Sequence, residues 1–383
     1  MDYSKLYNFF TESYARIPKM LSDGRAFRPI SLFIEPTYRC NFRCRMCQFL
    51  DLLDDPRLNE KRDEELTIEE MCRAVDFVMP RGLIAISGGE PLLRGDIMEL
   101  VRYSCKRHKA YLVTNGILLK EEIAREMVEL GCKDFLGSGV VSVGISLEAL
   151  GETHDEIVQA PGSFDKIVQN VRYIVGQKKK SGKRYPLIAL KCVITSHNVG
   201  QLDALYQLAE RTGVDIFNPI THYHMPAADR LEMDENVNAD MHVEPFADFD
   251  TTLLENQLST VIDRAARSTV RLRLTPPGIG KDDIIAVYEN RLDHSNKTCY
   301  SPWSTAILSA YGELSPCSNY TVGNIRNEPL RELWNNEKMR AFRRELKKRR
   351  IFSACGACCM ITSQGSPSQY PTLKRQAASG IKA

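Results

Sequence analysis

Three cysteines lie close together at Cys40, Cys44 and Cys47, in the spacing C-x₃-C-x₂-C. A closed structural zinc site uses four protein ligands, so three thiolates predict a centre that keeps one coordination position open. Three thiolates can bind three irons of a [4Fe–4S] cluster and leave the fourth iron for another ligand. The spacing therefore indicates a reactive iron–sulfur centre.

The remaining cysteines occupy two kinds of position. Five lie between residues 299 and 359, and four are scattered singly at Cys72, Cys105, Cys132 and Cys192. In a cytoplasmic protein they should be thiols or metal ligands rather than disulfides. We interpret the scattered four as buried apolar side chains. The C-terminal group is too concentrated for that interpretation and indicates a second metal site.

Composition sets the broad class of protein. The chain has 383 residues, a net charge of +2 and 43% hydrophobic residues, which is typical of a large globular domain with a smaller one. It has no long basic arm to indicate nucleic-acid binding. No apolar run is long enough to span a membrane, and the first twenty residues do not resemble a signal peptide. We therefore expect a cytoplasmic protein.

The elements that must position the cysteines alternate between short apolar runs and amphipathic stretches. This alternation predicts a parallel sheet with helical crossovers, in the form of an open or partial six-unit α/β barrel. Its active face would lie where the strands end, and Cys40 closely follows the first strand. The predicted strands are 30–36, 83–87, 110–115, 141–147, 187–194 and 215–220; the helices are 67–79, 95–107, 120–130, 163–178 and 199–211.

Side chains along a strand alternate between its two faces, which predicts the residues that line the barrel. In 141–148 the aliphatic face is Val141, Val143, Ile145 and Leu147, and the small polar face is Ser142, Gly144, Ser146 and Glu148. The polar face suits a lumen that binds a ligand. The same alternation places Lys191 in the lumen and Cys192 outside. A lysine in the lumen needs an anionic partner.

The segments outside the alternating region give weaker indications. Residues 226–260 are strongly acidic, which is typical of a solvated insertion. The alternative interpretation is a lid over the site that prefers a cationic substrate. The basic helix at 330–350 is interpreted as a solvated face. In the N-terminal helix an apolar stripe is expected to pack on its own domain, and the alternative is a membrane surface. The stripe is Leu6, Phe9, Phe10, Ile17 and Leu21.

The cysteine triplet and the motifs after it resemble the radical S-adenosylmethionine superfamily. "SGGEP" (87–91), "TNG" (114–116) and "SLEA" (146–149) each end a predicted strand, and 153–171 also matches a stretch common in the family. Met46 stands where relatives usually have an aromatic residue. The resemblance implies that Cys40, Cys44 and Cys47 hold a site-differentiated [4Fe–4S] cluster. It implies that S-adenosylmethionine is bound by Ser87, Gly88, Gly89, Glu90, Asn115, Ser146 and Glu148, and we add Lys191.

The C-terminal part resembles a second known unit. "CYSPWSTAILSAYGELSPC" (299–317), with a hairpin turn at 311–312, is followed by "GNIRNEPLRELW" (323–334) and "CGACC" (355–359). These motifs are similar to the SPASM domain or its shorter twitch form. The resemblance implies one auxiliary [4Fe–4S] cluster on Cys299, Cys317, Cys355 and Cys358, with Cys359 as a possible substitute for the last. A zinc ribbon is the alternative interpretation, because four thiolates also complete the ligand set of a zinc ion. The expected domains are 1–27, 28–225, 226–295, 296–362 and a disordered tail at 363–383.

The resemblance implies that S-adenosylmethionine is cleaved reductively to a 5′-deoxyadenosyl radical, which abstracts a hydrogen atom from a substrate carbon. We expect a small metabolite such as a sugar, a nucleoside or a natural-product intermediate, because the 27 residues before the first strand are too few for a peptide-binding module. The alternatives are a peptide maturase and a non-catalytic metal-binding scaffold, against which "SGGEP" argues. Flavodoxin or ferredoxin would donate electrons. His222, Tyr223 or His224 could lie at the barrel mouth.

Overall fold

The computed structural model describes most of the chain. The described residues are 3–21, 23–53, 61–134, 136–222, 249–276, 279–293, 295–317, 320–352, 355, 358 and 360–363, and the side chains of the first helix are described from Glu12 onward. Tyr223, His224, Cys359, most of the predicted lid and the predicted tail lie outside these residues.

The described elements follow the predicted alternation. The strands are β1 (Ser31–Ile34), β2 (Leu83–Ile86), β3 (Lys109–Thr114), β4 (Gly139–Ser146), β5 (Leu187–Ile194), β6 (Ile216–Thr221), β7 (Arg271–Leu272), β8 (Lys297–Cys299), β9 (Thr305–Leu308), β10 (Glu313–Ser315), β11 (Gly323–Asn324) and β12 (Ile361–Ser363). The helices are α1 (Tyr3–Met20), α2 (Leu50–Leu53), α3 (Ile68–Phe77), α4 (Ile97–Cys105), α5 (Glu121–Glu129), α6 (Gly151–Val158), α7 (Ser163–Ser181), α8 (Leu202–Thr212), α9 (Thr251–Ala265), α10 (Lys281–Tyr288), α11 (Leu330–Leu333) and α12 (Glu337–Arg349).

A parallel sheet forms the centre of the molecule. Strands β1 to β7 lie side by side in chain order, and each pairs in parallel with the next. The six predicted strands are β1 to β6. Helices cover the aliphatic side of the sheet; α3, for example, buries Met71, Ala74 and Val75. The predicted partial (β/α)₆ barrel is confirmed.

The pairing of β3 with β4 contains a bulge that the alternation did not predict. Ala110 pairs with Val140 and Tyr111 pairs with Ser142, so Val141 is the extra residue. Val140 is fully buried, whereas Val141 is half-buried. The aliphatic face of β4 is therefore formed by Val140, Val143 and Ile145, and the expectation for Val141 was wrong.

The C-terminal segment continues the same sheet. Strand β9 pairs in parallel with the free edge of β1, from Ser31 with Thr305 to Ile34 with Leu308. The predicted hairpin follows: β10 runs antiparallel to β9, and Gly312 in the turn has a φ of +92°, which favours glycine. Strand β11 then forms the edge of the ten-stranded sheet. Strands β8 and β12 form a separate antiparallel pair.

The described part of the N-terminal helix α1 packs differently from the expectation, and the side chains of Leu6, Phe9 and Phe10 lie outside the described residues. Ala15 is fully buried, whereas Ile17 and Leu21 of the predicted packed stripe are 58% and 47% exposed. Within the described residues, no helix is both long and apolar enough to cross a lipid bilayer.

Candidate active site

The three clustered cysteines follow β1 in one loop, and all three are half-buried. The Phe42 amide donates to Cys40 Sγ at 3.4 Å, and the Phe49 amide donates to Cys47 Sγ at 3.4 Å. Burial raises the pKa of the Cys40 thiol to about 11. The pKa of Cys44 is also raised, first by burial, then by the nearby Glu148 carboxylate and by the other two thiols. Ionised thiols here need compensating positive charge.

The donor set therefore fits an iron–sulfur cluster. Thiolates are the ligands of such clusters, and iron supplies the positive charge that the three buried sulfurs need. Within the described part of the chain, no three histidine, cysteine or carboxylate side chains are grouped where a single metal ion would bind.

Two glycines let the loop after β2 pack on the cysteine loop. The Gly89 amide donates to the Thr37 carbonyl at 2.9 Å, and the Glu90 amide donates to the Arg39 carbonyl at 2.9 Å. A Cβ on Gly88, whose φ is +104°, would lie 2.8 Å from the Thr37 carbonyl oxygen, and one on Gly89 would lie 2.3 Å from that of Arg39. Larger side chains would push the two loops apart. The close approach of these glycines is to the cysteine loop itself.

Glu90 joins the ends of β2 and β3. Its carboxylate is 1% exposed and accepts hydrogen bonds from the Leu92 amide (2.9 Å), Thr114 Oγ1 (2.8 Å) and the Asn115 amide (2.7 Å). Burial raises the pKa of this carboxyl. The Asn115 side chain in turn donates to Asn41 Oδ1 at 2.9 Å and lies 4.0 Å from Cys40 Sγ. These contacts bring Glu90 and Asn115 together beside Cys40.

Glu148 follows β4 and is 5% exposed. Its Oε2 accepts from the Val193 amide at 2.8 Å, and its own amide donates to His154 Nδ1 at 3.0 Å. Burial raises the pKa of Glu148 to about 7, against the opposing effects of the Val193 hydrogen bond and of the Lys191 ammonium. Glu148 therefore lies within electrostatic range of Lys191.

Lys191 lies on the face of β5 opposite Cys192, as the alternation predicts, and Cys192 is fully buried among the helices. A Cβ on Gly144 would lie 2.9 Å from Lys191 Cδ and 2.7 Å from the Tyr111 hydroxyl, so this glycine makes room for both side chains. Ser146 pairs with Lys191 across the sheet. The inner face therefore places Ser146 beside Lys191, with Glu148 close by.

Among the described C-terminal cysteines, Cys299 and Cys355 lie close together at the end of β8. Cys299 ends β8 and is buried, Cys317 is half-buried after β10, and the Cys358 amide donates to the Cys355 carbonyl at 3.0 Å. Burial and, to a smaller extent, the nearby Cys299 thiol raise the pKa of Cys355 to about 12. Strand β12 pairs Ile361 with Cys299, which returns the chain from Cys358 to β8.

Several residues of the site were missed by sequence reasoning. Asn198 is fully buried and donates to the Glu148 carbonyl at 2.7 Å, so it fixes the end of β4. Lys19 of α1 donates to Thr298 Oγ1 at 2.6 Å and to the Cys299 carbonyl at 3.1 Å. Burial lowers the pKa of Lys19 to about 8. An asparagine just after a predicted strand was a usable signal, but no local pattern links α1 to residue 299.

Comparison with known families agrees with this arrangement. The model of the Radical SAM superfamily matches residues 34–188, and the model of SPASM, an iron–sulfur cluster-binding domain, matches residues 299–359. Together the two segments span more than half of the chain. This chain belongs to the radical SAM superfamily. It is a radical SAM enzyme with a C-terminal SPASM domain. Its cofactors are S-adenosylmethionine and a [4Fe–4S] cluster, together with auxiliary iron–sulfur binding in the SPASM domain.

Relatives of this radical SAM enzyme carry several names. An "AdoMet-dependent heme synthase" of Methanosarcina barkeri is 27% identical over 335 residues, which cover 85% of this chain and 86% of the relative. A "Mycofactocin maturase MftC" of Mycobacterium ulcerans is 31% identical over 189 residues, which cover 49% of this chain and 46% of the relative.

The fold is shared with solved radical SAM structures. Streptococcus suis SuiB bound to S-adenosylmethionine has a TM-score of 0.60 at 17% identity, covering 93% of this chain and 77% of SuiB. The protein anSMEcpe with bound AdoMet and a peptide has a TM-score of 0.55 at 20% identity, covering 86% of this chain and 85% of that one. At these identities the likeness concerns the fold alone.

Proposed function

We propose that this enzyme forms a 5′-deoxyadenosyl radical from S-adenosylmethionine and uses it to abstract a hydrogen atom from an unactivated carbon of a small metabolite. One observation carries the proposal: three half-buried thiols at the end of β1 are held against the Gly88–Glu90 loop and beside Asn115. This combines a cluster-binding loop with polar groups at adjacent strand ends, where a ligand of a parallel α/β barrel binds.

Cys40, Cys44 and Cys47 would hold three irons of the cluster and leave the fourth for the cofactor. When bound, the cluster and S-adenosylmethionine supply the electron and the radical that removes the hydrogen atom. The chain's own residues bind and orient the cofactor. Polar contacts to the cofactor would come from Ser87, Gly88, Gly89, Glu90, Asn115, Ser146, Glu148 and Lys191.

A small substrate is favoured by the names of several relatives that align over most of the chain, and a maturase of Mycobacterium tuberculosis also aligns over 86% of it. Besides the heme synthase, a "Fe-coproporphyrin III synthase" of Methanosarcina barkeri is 24% identical over 78% of this chain, and both names refer to small molecules. A peptide is the second candidate. It is favoured by the maturase name and by the structure of SuiB bound to precursor peptide SuiA, which shares the fold.

Fractionated extract distinguishes the two substrate classes. The purified enzyme, S-adenosylmethionine and a strong reductant are incubated anaerobically with an ultrafiltrate of host extract, untreated or digested with protease, and 5′-deoxyadenosine is quantified. Stimulation that survives protease supports a small metabolite. Stimulation that protease removes supports a peptide. An enzyme that forms no 5′-deoxyadenosine under any of these conditions would contradict the proposal as a whole.

Replacement of Glu90 by glutamine tests the cofactor pocket. In Glu90→Gln one acceptor oxygen becomes an NH₂ group, which faces either the Asn115 amide or the Leu92 and Thr114 donors. A buried donor left without an acceptor costs about 1–3 kcal/mol, so we expect lower stability to denaturant by that amount. Asn115 should shift, and S-adenosylmethionine affinity should fall by about tenfold.

Chemical unfolding of the metal-free protein and calorimetric titration of the reconstituted protein measure the two effects. Glu126→Gln is the control, because Glu126 pairs with Arg102 on the outer helices. Unchanged cofactor affinity in Glu90→Gln would show that Glu90 serves only the turn after β2.

For the SPASM domain we propose one closed auxiliary [4Fe–4S] cluster on Cys299, Cys317, Cys355 and Cys358, with Cys359 as the alternative to Cys358. The proximity of Cys299 to Cys355 supports it. Zinc remains the alternative ion, and metal analysis of the purified protein separates the two. We further propose that flavodoxin or ferredoxin donates the electron in the cytoplasm, with no nucleic-acid or membrane partner.

A further inference from the structure

The cysteine loop is held from outside the barrel by one carboxylate. Glu65 lies just before α3, and its side chain is almost fully buried. Its Oε1 accepts a hydrogen bond from Thr37 Oγ1, and its two oxygens accept from Arg39 Nε at 3.2 Å and Nη2 at 3.0 Å. Arg39 immediately precedes Cys40. Two-point pairs between guanidinium and carboxylate fix geometry as well as contributing energy.

Arg94 supports the same loop from the β2 side. Its Nη1 donates to the Pro36 carbonyl at 3.0 Å and to the Leu66 carbonyl at 2.8 Å, and Nη1 lies 3.8 Å from Glu65 Oε2. Asp96 holds the other edge of the guanidinium at 2.8 Å. The start of the cysteine loop is therefore tied to residues 65–66 by two arginines.

Residues 64–65 are in turn held by the SPASM domain. Arg326 follows β11, and it donates from Nη1 to the Glu64 carbonyl at 2.8 Å and from Nη2 to the Glu65 carbonyl at 3.2 Å. The same guanidinium pairs with Glu70 at 2.8 Å and 3.1 Å. Glu70 also accepts from the Thr67 amide in the capping box that begins α3. Arg326 thus fixes both the backbone at Glu65 and the start of the next helix.

A second contact from the SPASM domain reaches the cysteine loop separately. The Leu66 amide donates to the Ala310 carbonyl at 2.7 Å, in the turn between β9 and β10. Ala310 is fully buried in a small cluster with Tyr38, Phe49 and Leu53. Cys40 and Cys47 pack against this cluster. The turn therefore touches side chains on both sides of the cysteine triplet.

We propose that Glu65 and Arg326 are positioning residues for the catalytic cluster, so that the SPASM domain holds the Cys40 loop mechanically through the contacts from Arg326 to Glu65 and from Glu65 to Arg39. The proposal rests on the assignment of Cys40, Cys44 and Cys47 as the ligands of the catalytic cluster. This role is separate from that of any metal bound by the SPASM cysteines.

Amide hydrogen exchange of the metal-free, full-length protein tests the contact without the cluster. In Glu65→Gln, we expect exchange of peptides covering 36–49 to be faster by about tenfold, because the charge-assisted contact of Glu65 with Arg39 is lost. In Arg326→Gln we expect a change in the same direction, because residues 64–65, which hold this loop, are released. Peptides covering β5 report global stability and should keep their exchange rate. Arg102→Gln is the matched control, since it removes a two-point pair with Glu126 on the outer helices.

Electron paramagnetic resonance of the reduced, reconstituted protein tests the consequence for the cluster. Only a cluster with an open iron changes its signal when S-adenosylmethionine is added. Arg326→Gln should broaden the signal or make this change smaller. Arg326→Lys keeps the charge but not the forked geometry, so it should give an intermediate result.

The proposal would be overturned if peptides covering 36–49 exchanged no faster in Arg326→Gln and Glu65→Gln than in Arg102→Gln. It would also be overturned if the change of the resonance signal on addition of S-adenosylmethionine were the same in Arg326→Gln as in the unmodified protein. Faster exchange over the whole chain would also overturn it, because the effect would then be global. The assignment beneath it is tested separately: a cofactor-responsive signal that survives in Cys40→Ala/Cys44→Ala/Cys47→Ala would refute that assignment, whereas the exchange result does not depend on it.

Discussion

Replacement of Cys40, Cys44 and Cys47 by alanine is expected to abolish 5′-deoxyadenosine formation completely. The three thiols are half-buried in one loop, and no other described cysteine lies in it. Alanine fills most of the same space, and the loop keeps its backbone bonds to residues 89 and 90. The fold should therefore survive while the catalytic cluster is lost.

Iron analysis and chromatography of the reaction products measure the outcome. About four irons should disappear, and the metal of the SPASM domain should remain. Cys72→Ala/Cys105→Ala/Cys132→Ala removes three thiols elsewhere in the fold and should cleave the cofactor normally. Cofactor cleavage by the Cys40, Cys44 and Cys47 variant at the normal rate would exclude these residues as ligands.

A chain that ends at residue 295 should fail to fold. From the sequence alone, a soluble fragment of this length is expected to hold about four irons. The structure instead places β9 against β1, and the fragment would leave that edge unpaired. It would also lose the fully buried side chains of Trp303, Trp334 and Phe342. A large apolar side chain contributes about 1.5–3 kcal/mol when fully buried, so the loss of even a few such contacts to the barrel would remove much of the stability of a domain.

Soluble yield, circular dichroism and cooperative unfolding check this expectation. A chain that ends at residue 363 keeps every described residue and is the matched control. A soluble 1–295 fragment that unfolds cooperatively and cleaves S-adenosylmethionine would show that β9 and the residues after it are dispensable for the barrel.

The repeating part of the fold could be predicted because its signals are local. Apolar runs and helical periodicity are visible within one unit, and parallel strands bring their ends to one edge of the sheet. The motifs at residues 87–91, 114–116 and 146–149 could therefore be placed together before any coordinates existed. Their neighbourhood is seen in the contacts of Glu90 with Asn115 and of Glu148 near Cys44.

The parts that could not be predicted depend on contacts between distant residues. Nothing near residue 305 indicates that β9 pairs with β1, and nothing near residue 326 indicates a partner at Glu70. The bulge at Val141 changes the aliphatic face of β4, and two adjacent valines in the sequence do not show which of them is the extra residue. The contacts of Glu90 and the two glycines with the protein's own chain were likewise not predicted from the sequence.

The pairing of β9 with β1 has a consequence for biosynthesis. Strand β1 leaves the ribosome long before its partner on one side, because Ser31 pairs with Thr305. Throughout that interval the growing chain carries an unpaired, apolar strand edge, which is a site for association between nascent chains. The pairing of two strands that lie so far apart in the sequence is also slow. A chaperone bound to the nascent barrel should therefore raise the yield of folded enzyme, whereas slower elongation between β1 and β9 should lower it.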